Sequence, residues 1–363
     1  MDKEYNYMVC VDCMTYNQAS YIKDTFNGFC IQETNFPFVC TIIDDASTDG
    51  EQEVIKKYLQ EQFDLSDKSV VRNEETEEFS ITFVQHKTNK NCFFAVLYLK
   101  SNHYSIRKPK YPYVKEWRNN CKYISICEGD DYWTDPLKLQ KQVDYMESNS
   151  ECTLVCNRTR LFSDLQKRFI GESYCYHQSQ DIDVRDIICR GGLFIATCSI
   201  LYRKSIMNNY PEYCRQCDVG DYPLQIYAAM KGNVYYFNDI MSVYRVDNSA
   251  SWMGRQQWNA VSDIRLNGIR SRVQLFKGFS TDFPSYSKVF DNKIAQYINR
   301  LMPNWRCPSK DREKYLDYFA DEIDAYTFRW KIDLFIKKMR IPKIYNWYSK
   351  VFLRSYSQPY IKY

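Results

Sequence analysis

The fold is decided by the sequence YISICEGDDYWTDP at residues 123–136. Its apolar first half predicts a buried strand that ends in the adjacent carboxylates of Asp130 and Asp131. In open α/β sheets, ligands bind at the carboxyl ends of the strands. Adjacent ionised carboxylates repel each other, so a hard cation shared with a phosphate-bearing ligand would stabilise the pair. A helix cap and a first-turn proline explain Thr134 to Pro136, but they do not explain the two aspartates.

Strands and helices alternate on both sides of this sequence. The patterns predict strands at 7–14, 38–43, 81–84 and 123–127, and helices at 21–30, 48–59, 91–99 and 136–146, the second opened by a capping box at Thr48–Glu51. Further strands are predicted at 154–156, 195–202 and 233–237, and helices dominate from about residue 258. This alternation predicts an α/β fold whose mostly parallel sheet is flanked by helices, with a helical C-terminal extension.

Length and charge exclude several classes of protein. A chain of 363 residues is typical of one large domain with an appendage. Its 49 basic and 45 acidic residues give a net charge of +4, too balanced to indicate nucleic-acid binding. The N-terminus lacks the apolar segment of a signal peptide, and no apolar run reaches membrane-spanning length. We therefore expect a cytoplasmic protein with reduced cysteines.

Two CxxC pairs, Cys10/Cys13 and Cys214/Cys217, raise the question of a structural zinc site. Cys10 and Cys13 lie in a predicted strand, where residues three apart face opposite sides and do not converge on one ion. The two pairs are also too far apart in the chain for the usual zinc-ribbon spacing. The spacing therefore argues against zinc.

A second acidic strand end, Asp44-Asp45, follows the second predicted strand. No GxGxxG motif follows the first strand and no Walker A motif is present, which weighs against dinucleotide-binding and P-loop enzymes. A nucleotide can still be bound without glycine-rich loops, if one carboxylate contacts the base or ribose and a metal on another contacts the diphosphate.

Five short motifs together resemble family 2 glycosyltransferases of the GT-A fold, in particular the bacterial members that build surface polysaccharides. They occur in order over roughly the first 250 residues. They are MTYNQ at 14–18, IIDDASTDG at 42–50, EGDDYW at 128–133, GDYPL at 220–224 and VYRV at 243–246. The resemblance implies one catalytic unit over residues 1–255, with a nucleotide-binding half at 1–135 and an acceptor half at 136–255. Residues 256–363 form the helical C-terminal region.

The resemblance also implies a role for each matching residue. Tyr16 would stack on the nucleotide base beside Thr15, and Asp45 would contact that base. Asp130 would contact the ribose and Asp131 would bind Mn²⁺ or Mg²⁺. In addition, Asp221 occupies the position of the family's catalytic base, and Trp133 is expected to form a wall of the donor pocket.

The implied reaction is metal-dependent transfer of a single sugar with inversion, from a nucleotide-sugar donor to a hydroxyl of a glycan or lipid-linked acceptor. A UDP-sugar is the favoured donor. The divalent ion would stabilise the departing diphosphate, and Asp221 would accept the proton of the attacking hydroxyl. The processive-synthase signature Gln-x-x-Arg-Trp is absent, which favours addition of one sugar. Two alternatives are a catalytically silent module that binds a nucleotide sugar or glycan, and a nucleotidyltransferase on a related sheet.

Structural roles compete with some of these assignments. Asp44 would equally well satisfy backbone N–H groups of its turn. Tyr16 has ordinary core packing as an alternative, and Asp221 has a helix cap as one. Asp12 interrupts a strand that is usually apolar in this family, and the sequence offers no explanation for it.

The C-terminal tail combines aromatic and basic residues at near-helical spacing over 328–340, and again over 344–354 after Pro342. Such helices can lie on an anionic membrane, which would suit a lipid-linked acceptor at the inner face of the plasma membrane. A helix packed on the catalytic domain with solvated lysines explains the pattern equally well. Both interpretations stay open.

Overall fold

The computed structural model of the chain describes residues 5–66, 70–247, 263–301 and 309–338. Its strands are β1 (Tyr7–Thr15), β2 (Phe38–Asp44), β3 (Arg72–Glu75), β4 (Phe79–Gln85), β5 (Cys92–Leu99), β6 (Cys121–Ile126), β7 (Tyr132–Trp133), β8 (Cys152–Ser163), β9 (Arg168–Ser173), β10 (Gln180–Asp181), β11 (Leu201–Arg203) and β12 (Asn233–Val246). Its helices are α1 (Ile22–Cys30), α2 (Glu51–Gln62), α3 (Tyr111–Asn119), α4 (Lys138–Ser148), α5 (Val184–Arg190), α6 (Glu212–Arg215), α7 (Asp221–Lys231), α8 (Asp263–Asp282), α9 (Ser287–Leu301), α10 (Ser309–Tyr318), α11 (Ala320–Asp324) and α12 (Phe328–Lys338). Within these ranges, no helix combines the length and the apolar character needed to cross a membrane.

The strands form one mixed sheet with the order β10-β12-β8-β11-β6-β1-β2-β5-β4-β3, while β7 pairs with β12 and β9 with β8. Its centre is parallel, because β1 lies between β6 and β2, and β2 pairs with β5. Mostly antiparallel pairs flank this centre. Every residue of β2 is buried, as expected for a parallel strand covered by helices on both faces. The predicted α/β sheet flanked by helices is confirmed.

Residues 91–99 form strand β5, so the helix predicted for this segment is wrong. The strand CFFAVLYL pairs with β2 in parallel and with β4 in antiparallel fashion. An apolar run without polar positions is compatible with a buried strand or a buried helix, and periodicity does not separate them. The predicted strand at 195–202 is also shorter than expected, because Thr197–Ser199 forms a 3₁₀ turn before β11.

Two hydrophobic clusters cover the two faces of the sheet. One joins the sheet to α1, α2 and α4, and the other joins it to α3, α5, α7 and the C-terminal helices. Cys10 points into the second cluster and Cys13 into the first, so this CxxC pair does not converge on one ion. The C-terminal helices therefore complete the core of one face. The predicted boundary at residue 255 lies outside the described residues.

Asp12 is explained by a buried ion pair with α3. Its side chain is almost fully buried, its Oδ2 lies 2.7 Å from Arg118 Nη1, and its Oδ1 accepts a hydrogen bond of 3.2 Å from the Thr41 hydroxyl. Burial raises the pKa of Asp12, while Arg118 and Thr41 lower it again. The pair attaches α3 to the centre of the sheet, a long-range contact that the strand pattern alone does not reveal.

The last described helix, α12, packs one side against the protein. Trp330 and Leu334 are buried, and Trp330 Nε1 donates a hydrogen bond of 2.9 Å to Asn292 Oδ1 on α9. Phe328 and Phe335 are exposed on the same helix. This agrees with the packed-helix interpretation for residues 328–338. Residues 339–363 lie outside the described ranges, so the membrane contact stays a prediction.

Removing Arg118 should destabilise the protein strongly. Arg118→Ala leaves the Asp12 carboxylate buried without its cation, which should lower the free energy of unfolding by about 3–5 kcal/mol. The control Lys57→Ala breaks an exposed i,i+4 pair with Glu61 and should cost no more than about 0.5 kcal/mol. Urea denaturation of both variants measures the difference. Equal stability of the two would contradict a structural role for the buried pair.

Candidate active site

The loops that follow β1, β2 and β6 meet at one edge of the sheet. These strands are parallel neighbours, and their carboxyl ends lie side by side, with Thr15 in register with Asp44. Each loop carries one of the motifs found in the sequence, so the three motifs converge on one place. Such an edge is where open α/β sheets bind ligands.

The first two loops are joined by the buried carboxylate of Glu51 at the start of α2. Glu51 Oε2 accepts hydrogen bonds from the Gln18 backbone N–H (2.9 Å) and the Ser47 hydroxyl (2.8 Å), and its Oε1 accepts one from Thr15. The predicted capping box at Thr48–Glu51 is therefore wrong. The helix N-cap is Gly50, with φ of 88°, and the Glu51 side chain bonds to neighbouring loops instead.

Thr15 is buried and takes part in this network rather than lining an open pocket. Its hydroxyl hydrogen bonds to Glu51 and lies 2.8 Å from Gln18 Oε1. Tyr16, the next residue, is half-buried and packs against neither hydrophobic cluster of the described residues. Its position at the sheet edge therefore agrees better with the predicted stacking role than with core packing.

The third loop approaches the first loop closely because residue 129 is a glycine. A Cβ atom on Gly129 would lie 2.5 Å from Gln18 Oε1 and in still closer contact with the Thr15 hydroxyl. Gly129 N also donates a hydrogen bond of 3.0 Å to Met14 O. The glycine between Glu128 and Asp130 is thus required by packing, and it sets the distance between the two loops.

The carboxylates after β2 have roles within the protein. Asp45 Oδ1 accepts from His103 N (2.7 Å), and its Oδ2 accepts from Tyr104 N (3.1 Å) and pairs with Lys110 Nζ at 2.9 Å. Both oxygens of Asp45 thus already accept hydrogen bonds within the protein, and its contact with a base stays a prediction. Asp44 accepts from Ser47 N at 3.3 Å, which matches the structural interpretation of that residue.

Asp130 and Asp131 are both buried, but Asp131 is held more tightly. Asp131 Oδ1 accepts a hydrogen bond of 2.8 Å from Arg245 N in β12. The Arg245 side chain donates a hydrogen bond of 2.6 Å to Asp130 O and also forms an ion pair with Asp24. The VYRV motif therefore holds the acidic loop in place from the neighbouring part of the sheet.

Asp131 fits a role as a cation ligand, because its Oδ2 is buried and has no hydrogen-bond partner among the described residues. In the described ranges, no group of three or more His, Cys, Asp or Glu side chains is arranged to hold a metal ion. Mg²⁺ often takes only one or two carboxylates and completes its shell with water and substrate phosphates. A single free carboxylate oxygen is compatible with an ion that binds together with a diphosphate.

Glu128 is a further acidic residue of this site that the sequence interpretation did not assign. Glu128 is exposed to solvent, and desolvation by neighbouring protein atoms raises its pKa to about 8. The negative charges of Asp130 and Asp221 raise the pKa further. Burial, followed by the charge of Asp130, also raises the pKa of Asp131 well above its usual range. This concentration of acids favours a bound cation.

Asp221 faces the same site from the start of α7. Its Oδ2 accepts a hydrogen bond of 2.9 Å from the Thr197 hydroxyl, and its Oδ1 accepts one of 2.8 Å from Tyr222 N. Gly220 is the helix N-cap, so the predicted alternative of Asp221 as the cap is wrong by one residue. Burial raises the pKa of Asp221, which makes its carboxylate a stronger base.

Trp133 does not form a wall of the site. Its side chain is only 2% exposed, its Nε1 donates a hydrogen bond of 2.8 Å to Cys198 O, and its ring packs against Phe29. Gly28 lets α1 pack directly on β7, since a Cβ there would lie 2.7 Å from Trp133 N. The adjacency of Trp133 to the acidic pair in sequence predicted a pocket position, but strand alternation turns its ring into the core.

Comparison with known proteins agrees with this site. The family model for glycosyl transferase family 2 matches residues 13–85, which include the loops after β1 and β2. The chain is 28% identical over 240 residues to the uncharacterized protein Rv1520 of Mycobacterium tuberculosis (strain ATCC 25618 / H37Rv) and equally to Mb1547 of Mycobacterium bovis. The matched region covers 66% of this chain but only 59% of the length of these relatives.

Solved structures share the fold. The crystal structure of S. aureus TarS 1-349 in complex with UDP aligns with a TM-score of 0.58 at 15% identity, over 94% of this chain and 87% of that chain. The structure of the same TarS fragment described without UDP gives 0.59 at 13% identity, over 96% and 92%. These structures show that the chain has a GT-A-type fold. Residues 13–85, which carry the first two loops of the site, match glycosyl transferase family 2.

Adding a methyl group at residue 129 should disrupt the site. Gly129→Ala forces the acidic loop away from Thr15 and Gln18, so we expect a lower thermal unfolding midpoint and weaker UDP binding. Gly220→Ala is a matched control, because a Cβ there meets nothing within 4 Å. Differential scanning fluorimetry and calorimetric titration with UDP measure both effects. Normal stability and UDP affinity in Gly129→Ala would contradict the close approach of the two loops.

Proposed function

We propose that the protein is an inverting, metal-dependent glycosyltransferase that moves one sugar from a nucleotide-sugar donor to a hydroxyl of a glycan or lipid-linked acceptor. The observation that carries this proposal is the meeting of three motif loops at one sheet edge, with Asp221 close enough for its charge to raise the pKa of Glu128. Asp131 is thus available to bind the donor, and Asp221 is available to react with the acceptor.

On the donor side, Tyr16 at the sheet edge would stack on a base, and Asp131 in the 128–131 loop would bind the cation that holds a diphosphate. A divalent ion on Asp131, Mn²⁺ or Mg²⁺, would supply Lewis-acid stabilisation of the departing diphosphate when bound. UDP is the nucleotide to test first, because S. aureus TarS, which shares the fold, was crystallised in complex with UDP. A nucleotide that contacts Asp45 would add a hydrogen bond to a carboxylate that already accepts bonds from His103 N and Tyr104 N.

On the acceptor side, Asp221 is the base. Thr197 and Tyr222 N orient its carboxylate, and burial raises its pKa, so it can take a proton from a hydroxyl that attacks the anomeric carbon. Attack on the face opposite the departing diphosphate inverts the configuration at that carbon. The proton passes from the acceptor oxygen to the Asp221 carboxylate, and the bond to the nucleotide diphosphate breaks.

The metal requirement is testable with Asp131. Release of UDP from UDP-sugars should need Mn²⁺ or Mg²⁺ and should fall roughly 100-fold or more in Asp131→Asn, because the amide is a weaker ligand and carries no charge. Asp239→Asn, an exposed aspartate of β12, is the control. A coupled assay for UDP release, with and without EDTA, measures turnover. Full activity in EDTA would refute metal dependence, and absence of turnover with every nucleotide sugar would favour a silent binding module.

The base is testable through Asp221. Asp221→Asn should keep UDP binding but lose roughly 10²–10⁴-fold in kcat, because an amide does not accept the proton. The wild type should lose turnover as the pH falls through the raised pKa of Asp221, where the carboxylate becomes protonated. Asp183→Asn, at the N-cap of α5, controls for the same substitution at another helix start. A near-normal kcat in Asp221→Asn would place the base elsewhere.

A further inference from the structure

Helix α8 of the C-terminal region holds the segment that leads into Asp221. Asp218, three residues before Asp221, receives two hydrogen bonds from one guanidinium: Arg272 Nε lies 2.9 Å from its Oδ1 and Arg272 Nη2 lies 2.8 Å from its Oδ2. Ser271 Oγ adds a bond of 3.0 Å to Oδ1 and accepts one of 3.2 Å from Asp218 N. A bidentate guanidinium–carboxylate pair fixes both distance and orientation.

The packing around this contact is equally close. A Cβ atom on Gly268, one turn before Arg272, would lie 3.0 Å from Asp218 Oδ2, so the glycine lets the carboxylate reach the helix. The Arg272 guanidinium also bonds to the Tyr297 hydroxyl and lies over the Tyr297 ring, which attaches it to α9. On the other side of Asp221, Tyr222 packs edge-on against Phe276 of α8 at 6.0 Å.

We propose that Arg272, through its bidentate contact with Asp218, is a positioning residue for Asp221, so that the C-terminal helices form part of the catalytic centre. This inference rests on the proposed role of Asp221 as the base. Arg272 does not contact substrate in this arrangement. Instead, Arg272 fixes the position of the first residues of α7. That position sets the direction of the Asp221 carboxylate, which Thr197 and Tyr222 N hold by hydrogen bonds.

The charge of Arg272 has a second effect on the same carboxylate. Among the described residues, the Glu128 carboxylate and the Arg272 guanidinium of α8 are the charged groups that act on Asp221, while Thr197 and Tyr222 N donate neutral hydrogen bonds. Burial raises the pKa of Asp221, and Arg272 lowers it partway. Removal of the guanidinium should therefore move the Asp221 titration to higher pH.

Arg272→Met, Arg272→Lys and Asp218→Asn test the proposal in the full-length protein. Arg272→Met should lower kcat roughly 10- to 100-fold through misplacement of the base, with unchanged UDP affinity. The acid limb of its pH profile should move to higher pH.

Arg272→Lys keeps the charge but loses the bidentate contact, so its kcat should fall while its acid limb shifts less. Asp218→Asn, which weakens the same contact, should lower kcat as well. Lys277→Met, an exposed lysine of α8 whose buried partner Glu322 keeps its ion pair with Arg270, is the control that should leave both unchanged.

A direct titration separates this inference from the proposed function. Carboxyl-¹³C aspartate labelling, with the Asp221 signal assigned through Asp221→Asn, reports the pKa of Asp221 without any substrate. A raised Asp221 pKa in Arg272→Met, but not in Lys277→Met, supports the proposal even where no donor is turned over. An unchanged titration together with normal kcat in Arg272→Met would overturn it. Normal kcat in Asp221→Asn would instead overturn the proposed function.

Discussion

The buried carboxylate of Glu51 is the interaction on which the site depends. A buried charge is stable only when hydrogen bonds replace its water, and Glu51 obtains them from the first loop, through Thr15 and Gln18 N, and from the second loop, through Ser47. Those bonds exist only when both loops adopt their observed positions. Gly129 then allows the acidic loop to pack against the same two residues of the first loop. The Glu51 carboxylate and the absence of a Cβ atom at Gly129 therefore bring the three motifs together.

The same edge of the sheet concentrates negative charge that the protein only partly compensates. Two arginines lie near the acidic residues. The Arg245 side chain donates to the backbone carbonyl oxygen of Asp130 and not to its carboxylate, and Arg272 pairs with Asp218. Burial and mutual repulsion consequently raise the pKa values of Glu128 and Asp131. A site of this kind gains most from a ligand that brings its own cation.

The C-terminal helices belong to the same folding unit as the sheet. They share a hydrophobic cluster with α5 and α7, and Phe276 packs directly on Tyr222 beside Asp221. A division of the chain near residue 255 describes the sequence pattern, but residues on both sides of it contact the segment around Asp221. The helical extension is therefore integral to the core, and we propose the same for the site.

The sequence by itself determined the alternation of strands and helices, the acidic strand ends and the positions of the motifs, because these depend on local residue order and strand direction. Tertiary structure decided the rest. The apolar run at 92–99 became a strand because β2 and β4 were available to pair with it. Trp133 was assigned to the pocket from its neighbours in sequence, yet core packing buries it. Asp45 was assigned from the family resemblance, and only the structure shows that its carboxylate also accepts backbone N–H groups at 103–104. Glu51, Arg118 and Arg272 bind Thr15, Asp12 and Asp218, respectively, each more than thirty residues away, and such contacts have no signature in a single sequence.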